Sequence, residues 1–253
     1  LQTDVSNVIV YSSDTDLTPF DTGAYASSTT YVSGNAVLKA ALHMHQMLLE
    51  EASKVLHTEI DHIDFDGKTF TSNENQITLS HLANRLYYNE DQKQLTATSS
   101  YVGHKSPPPF MAGFVEIDVD LKTGEIDIID YVSVVDCGTT INPKLAQGQV
   151  EGGIVQGIGM AVFEDVKVSK KGQLISNTFL NYKIPTNKDI KNLTTEFVNS
   201  FEPSGPYGAK SVGEIGIDTP PAAIANAVFN ATGVRIKDLP ITPEKILMGL
   251  KNK

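Results

Sequence analysis

The chain has 253 residues, 40% hydrophobic and 20% charged, a composition that can bury one large core or two smaller ones and argues against disorder. A net charge of -10 and a pI near 5.0 exclude sequence-independent binding to nucleic acid, which needs clustered Lys and Arg. With Cys137 as the one cysteine there is no internal disulfide and no thiolate zinc site, and with no apolar run near the roughly 18 residues of a membrane helix the expected setting is the cytoplasm.

The amino end carries no basic-then-apolar signal pattern and starts at Leu1, so a cut through a longer polypeptide, or processing, is expected. Val5 to Tyr11 reads as a short apolar strand, followed by a polar turn at Asp14-Thr15-Asp16 and a run of small residues from Thr22 to Thr30. From Asn35 to His57 apolar residues recur at helical spacing (Val37, Leu38, Ala41, Leu42, Met44, Leu48, Leu49, Ala52, Val55, Leu56), which predicts a long, well-buried amphipathic helix. His43 and His45, two apart, fall on different helix faces, so a shared metal is not expected.

Ile63 to Phe65 and Thr69 to Thr71 flank Asp66-Gly67, a hairpin signal, and Ser80 is the expected cap of a short helix through Tyr87. This closes a first lobe, residues 1–95, and a second lobe takes residues 96–253. Past the run Pro107-Pro108-Pro109, Phe114 to Leu121 and Glu125 to Val135 alternate as strands around Lys122-Thr123-Gly124, and Cys137 at the end of the second reads as a buried thiol. Asn142-Pro143 starts a helical stretch to about Phe163 that carries Gly148, Gly152, Gly153, Gly157 and Gly159. Each weakens a helix by about 1 kcal/mol relative to alanine, so either tight packing or close approach of a ligand is implied.

Lys171-Gly172 marks another hairpin, Thr195 to Val198 another strand, and Thr219 to Ala231 a helix with Pro220 and Pro221 in its first turn and Gly233 past its end. Strands interspersed with a few helices, without steady alternation, predict an α+β fold of mixed sheets packed with helices. Just before that last helix, Tyr207-Gly208-Ala209-Lys210-Ser211-Val212-Gly213-Glu214 sets one carboxylate on a glycine-flexed turn, where the helix N-terminus and Lys210 would favour its charged form. A solvated turn charge and a catalytic base are both open on these residues alone. A phosphate-cradling loop is not, because Ala209 stands where that motif needs glycine.

Three stretches in order resemble the molybdenum-binding subunit of the xanthine dehydrogenase and aldehyde oxidase family of molybdenum hydroxylases, with bacterial xanthine dehydrogenases the nearest in character. They are Thr22-Gly23-Ala24-Tyr25-Ala26-Ser27-Ser28-Thr29-Thr30, Asn142-Pro143 with Gly148-Gln149-Val150-Glu151-Gly152-Gly153, and Lys210-Ser211-Val212-Gly213-Glu214; Leu239-Pro240-Ile241-Thr242-Pro243-Glu244-Lys245-Ile246 is similar to that family's ending. The resemblance covers nearly the whole chain, but only the carboxy-terminal portion of the much longer subunit.

It implies that Glu214 is the general base in hydroxylation of a purine such as xanthine or hypoxanthine, with Gly213 beside it at the cofactor. It also implies that Gln149 contacts the molybdenum-molybdopterin cofactor, in its cytosine dinucleotide form. Ala26, Ser27, Ser28 and Thr29 bind its pterin and phosphate end, and no residue here ligates the metal. FAD and 2Fe-2S clusters on partner subunits or domains, the amino-terminal half of the same subunit, and a small heterocyclic substrate are the implied partners. This portion alone is not expected to turn over substrate. Self-association is one way to cover the face left open.

One departure stands out: Ile215-Gly216 follow the glutamate where many members have Pro-Pro. The same fold acting on nicotinate, another N-heterocycle, an aldehyde or an aromatic coenzyme A thioester, and a non-catalytic assembly module, are the alternatives.

Overall fold

The computed structural model describes residues 1–88 and 92–252. They form two compact units, one of residues 1–23 and 32–104 and one of residues 24–31 and 105–253. The small-residue run 24–31, which the sequence groups with the first lobe, is counted with the second unit.

In the first unit α1 (Gly34–Leu56) is followed by an antiparallel sheet of three short strands, β1 (Asp64–Phe65), β2 (Thr69–Thr71) and β3 (Gln76–Thr78), and by α2 (Leu79–Tyr88). Gly67, at φ +89°, makes the expected hairpin turn, and Phe65 and Phe70, paired across it, stack with ring centroids 4.0 Å apart. Ala52, Leu56, Ile63, Phe65, Phe70 and Leu82 close a small core, and His45 lies tilted against Phe65.

Three local expectations differ. Val5–Asn7 is one turn of 3-10 helix and no strand forms at 5–11 among the described residues. Ile9 is 94% exposed, so β-forming side chains without a partner strand stay unpaired. The long helix forms as predicted but is not well buried: Val37 is 68% and Leu42 57% exposed, because the sheet and α2 contact chiefly its carboxy-terminal half. At α2 the cap is Thr78, whose hydroxyl accepts the His81 N–H at 3.2 Å, while Ser80 already lies inside the helix.

The second unit is built on a mixed sheet in the order β4-β5-β6. Strands β4 (Phe110–Val119) and β5 (Ile126–Asp136) pair antiparallel around a turn at Gly124, with a bulge at Glu116/Ile117, and β5 pairs parallel with β6 (Ile190–Phe197). Helices α3 (Pro143–Ile158), α4 (Ile215–Asp218), α5 (Pro220–Thr232) and α6 (Pro243–Lys251) complete it. Tyr131 and Val135 of β5, and Ile128 brought to the same face by the bulge after it, meet Val150, Ile154 and Ile158 of α3 and Ile224 and Val228 of α5, so the strand's inner face and the helices' apolar stripes make one core.

Gly113 has no Cβ, and that space is taken by the Tyr131 hydroxyl, which hydrogen-bonds Thr219 Oγ1 at 2.9 Å. The helical stretch runs to Phe163 as expected, α3 passing directly into a π-helical turn at Gly159–Phe163. Around Gly172 the expected hairpin reduces to a single bridge, Val168 to Leu174. No described helix is long and apolar enough to cross a membrane.

Candidate active site

Helix α3 starts where the sequence predicts. The Asn142 side-chain oxygen accepts the Leu145 N–H at 3.2 Å, and Pro143 fills the first position, where a missing N–H costs nothing. This sets Gln149 on the second turn. The glycines of this helix divide between the two readings open to them. A Cβ on Gly153 would meet Gly216 at 3.0 Å and one on Gly157 the Ile217 carbonyl at 2.8 Å, so these two let α4 and the start of α5 close on α3. Gly148 and Gly152 would meet nothing within 4 Å.

The segment that ends in Glu214 crosses the end of β5. Thr139 N–H and Glu202 N–H both donate to Gly208 O, at 2.9 and 3.0 Å, and Lys210 N–H donates to Cys137 O at 2.8 Å. Gly138, at φ +69°, is required here, since a Cβ would lie 2.3 Å from Gly208 O. The Lys210 ammonium pairs with Asp136 Oδ2 at 2.8 Å, the two side chains only 12% and 24% exposed, while Ser200 Oγ and Gly138 N–H donate to Asp136 Oδ1. Lys210 therefore serves Asp136 rather than Glu214, against the expectation from their closeness in sequence: a half-buried carboxylate needs the cation more than an exposed one does.

Burial alone would push the Asp136 carboxyl up, but the Lys210 ammonium, the Ser200 hydroxyl and the Gly138 N–H together hold it below the usual carboxylate range. A carboxylate lowered on folding contributes stability that is present above its unfolded value of about 3.9 and is lost as pH falls through its folded value. Asp136→Asn is thus expected to destabilise the full-length protein at neutral pH. The gap from wild type should close in melts taken between about pH 5 and the acid limit. A gap that stays constant across that range would mean the charge on Asp136 contributes nothing. Next to it Cys137 is buried as expected. Burial, then the Asp136 charge, pushes its thiol up, so it is a neutral packing group rather than a nucleophile.

Beyond Lys210 the segment reaches Gly213 and Glu214. Gln149 Nε2 donates to Gly213 O at 2.7 Å. Glu214 N–H donates to Ser27 Oγ at 2.9 Å, and Ser27 Oγ–H donates back to Glu214 Oε2 at 3.0 Å. Ser27 belongs to a turn closed by Ser28 N–H on Tyr25 O at 3.0 Å, in which Ala26 (φ 47°) and Ser27 (φ 57°) both adopt the left-handed conformation. Four of the seven residues singled out by sequence, Ser27, Gln149, Gly213 and Glu214, are therefore joined by direct hydrogen bonds.

Ala26, Ser28 and Thr29 continue the Ser27 turn, Thr29 opening the π turn Thr29–Ser33. Glu214 caps only a four-residue helix, with no side-chain cap bond, so α5 does not begin at it. Sequence reasoning missed Asp136 and Ser200. An aspartate closing a strand just before Cys-Gly was the signal available.

Residues 1–191 match the family model of the molybdopterin cofactor-binding domain. The chain belongs to that family. This molybdopterin cofactor-binding domain is 39% identical over 249 residues to the putative xanthine dehydrogenase molybdenum-binding subunit XdhA of Escherichia coli K12, covering 96% of this chain and 33% of that one. It is 31% identical over 253 residues to the nicotine 6-hydroxylase large subunit of Paenarthrobacter nicotinovorans, covering 90% and 30%.

Among solved structures, quinoline 2-oxidoreductase from Pseudomonas putida 86 superposes with a TM-score of 0.86 at 26% identity, covering 94% of this chain and 32% of that one. The chain thus spans about a third of the length of the relatives it matches. It is a member of the molybdenum hydroxylase family with an α+β fold of mixed sheets and helices.

The residues present suit a pterin cofactor. The Gln149 carboxamide and the Glu214 carboxylate are exposed beside the Ser27 turn, where Ser28 and Thr29 follow with further hydroxyls, so donors and acceptors are offered together. The left-handed turn at 26–27 exposes main chain of the kind that binds anionic groups. Open space beside Gly148 and Gly152 adjoins Gln149 on the same helix.

Proposed function

We propose that this chain is the carboxy-terminal portion of a molybdenum hydroxylase large subunit that hydroxylates a purine such as xanthine or hypoxanthine, with Glu214 as general base. The observation that carries the reading is the convergence of Glu214, Gln149 and Ser27, from three distant parts of the sequence, on one exposed polar cluster.

Gln149, which spends one amide hydrogen on Gly213 O, has donor and acceptor capacity left to hold the cofactor. Gly213 keeps the backbone low beside it, and Ala26, Ser27, Ser28 and Thr29 bind the pterin and phosphate end through the main chain of their turn and the Ser28 and Thr29 hydroxyls. When bound, the molybdenum cofactor, proposed in its cytosine dinucleotide form, supplies oxygen transfer and takes up the substrate's electrons. Glu214 removes the proton that must leave as the new carbon–oxygen bond forms. FAD and 2Fe-2S clusters on partner subunits or domains, the amino-terminal half of the same subunit and a cytoplasmic setting complete the proposal.

A second reading keeps the chemistry and changes the substrate: nicotine 6-hydroxylase and quinoline 2-oxidoreductase are named for other N-heterocycles, and at 31% and 26% identity they match 90% and 94% of this chain. An assembly module without catalysis has no use for a carboxylate gripped as Glu214 is. The test uses the full-length parent with its partner subunits, assayed for bound molybdenum and for turnover of purines, nicotinate, quinoline and aldehydes. Molybdenum with fastest turnover of xanthine or hypoxanthine is expected. Preference for nicotinate or quinoline transfers the proposal to the second reading, and absence of molybdenum removes both.

A further inference from the structure

We infer that Ser27 is the positioning residue of Glu214 rather than a hydrogen-bond donor to the cofactor. The inference rests on the reading of Glu214 as the base. A serine hydroxyl has one hydrogen to give and two lone pairs. Here the hydrogen goes to Glu214 Oε2 at 3.0 Å and one lone pair takes the Glu214 N–H at 2.9 Å. The same oxygen therefore holds both the main chain and the side-chain tip of residue 214, which fixes the torsions between them. With its hydrogen spent, Ser27 Oγ can only accept from any further group. An anionic cofactor end must then draw its donors from main-chain N–H groups and from Ser28 and Thr29.

The local sequence is arranged for this contact. Ser27 holds a left-handed φ of 57°, next to Ala26 at 47°, conformations that cost a non-glycine residue roughly 1 kcal/mol or more and persist where other contacts compensate. On the other side Gly213 lets Ser27 approach: a Cβ there would stand 3.2 Å from Ser27 Oγ and 3.3 Å from its Cα. With one lone pair of Oε2 taken by Ser27, Oε1 is the more open oxygen and is assigned the proton. The transfer is a single proton to Oε1, with the Ser27 bond to Oε2 retained.

Ser27→Ala and Ser27→Gly, made in the full-length parent with its partners, test this together, glycine relieving the left-handed strain that alanine keeps. Both are expected to lower kcat by about tenfold to hundredfold with KM changed little, as for a base displaced by a fraction of an ångström. Molybdenum content should stay at the wild-type level. Exchange of the Glu214 amide hydrogen, which loses its acceptor, should quicken by about tenfold or more in both variants.

Molybdenum lost in proportion to activity would overturn the inference in favour of a cofactor-binding Ser27. Wild-type kcat, or a Glu214 amide that exchanges no faster, would overturn it as well. Normal turnover in Glu214→Gln, with faster amide exchange still seen in Ser27→Ala, would instead show that the contact exists but that Glu214 is not the base. The positioning role then falls with that reading.

Discussion

Glu214→Gln in the full-length parent is expected to fold normally, keep its molybdenum, and lose about 10²–10⁴ in kcat, the usual contribution of a positioned base. The substitution is close to isosteric. The Ser27 hydroxyl can still donate to the amide oxygen, the Glu214 N–H bond is unaffected, and the side chain is exposed, so no buried charge is removed. What the amide cannot do is take up a proton at neutral pH. Loss of kcat without loss of metal would separate chemistry from binding. Near-wild-type turnover would remove Glu214 from the mechanism and with it the proposed function of this cluster.

Gly216→Ala is expected to have a large structural effect for a single methyl group. The new Cβ would sit 2.4 Å from the Val150 carbonyl and 3.1 Å from Gly153 Cα, both main-chain atoms that cannot rotate away. Either α4 lifts off α3 or the helices strain, and overpacking of this kind costs about 1–3 kcal/mol. Because Gly216 lies two residues beyond Glu214, lifting α4 also displaces the carboxylate from Ser27. A lower melting temperature of the full-length protein, with reduced molybdenum content, is the expected result. Gly148→Ala provides the contrast: its Cβ meets nothing within 4 Å, and the better helix propensity should stabilise by up to about 1 kcal/mol. Equal melting of the two variants would show that the α3–α4 contact is looser than its geometry.

Much of the second unit was legible because its signals are local. The alternation of β4 and β5, the turn at Gly124, the Asn142-Pro143 start of α3, and the Pro220 and Gly233 bounds of α5 each rest on neighbours a few residues apart. The failures have a common cause. Val5–Tyr11 has strand composition and no described strand to pair with, and α1 has a helical stripe that the short sheet covers only in part.

At the site, the residue types were readable through their order along the chain, but their contacts were not. Ser27 and Glu214 stand 187 residues apart, and no spacing rule reaches that far. Lys210 shows the opposite error: a neighbour in sequence looked like the partner of Glu214, while Asp136, 74 residues away, had the stronger electrostatic demand.

The hydroxyl of Tyr131, let in by the bare backbone of Gly113, reaches Thr219 from the middle of the sheet, and Asp136 grips Lys210 from the end of the same strand. One β-strand thereby tethers the chain on both sides of Glu214, four residues before it and five after. A carboxylate mounted between two such moorings has little travel. Under the proposed chemistry it stays at one spot for every guest, so discrimination among heterocycles must come from walls that this strand does not build.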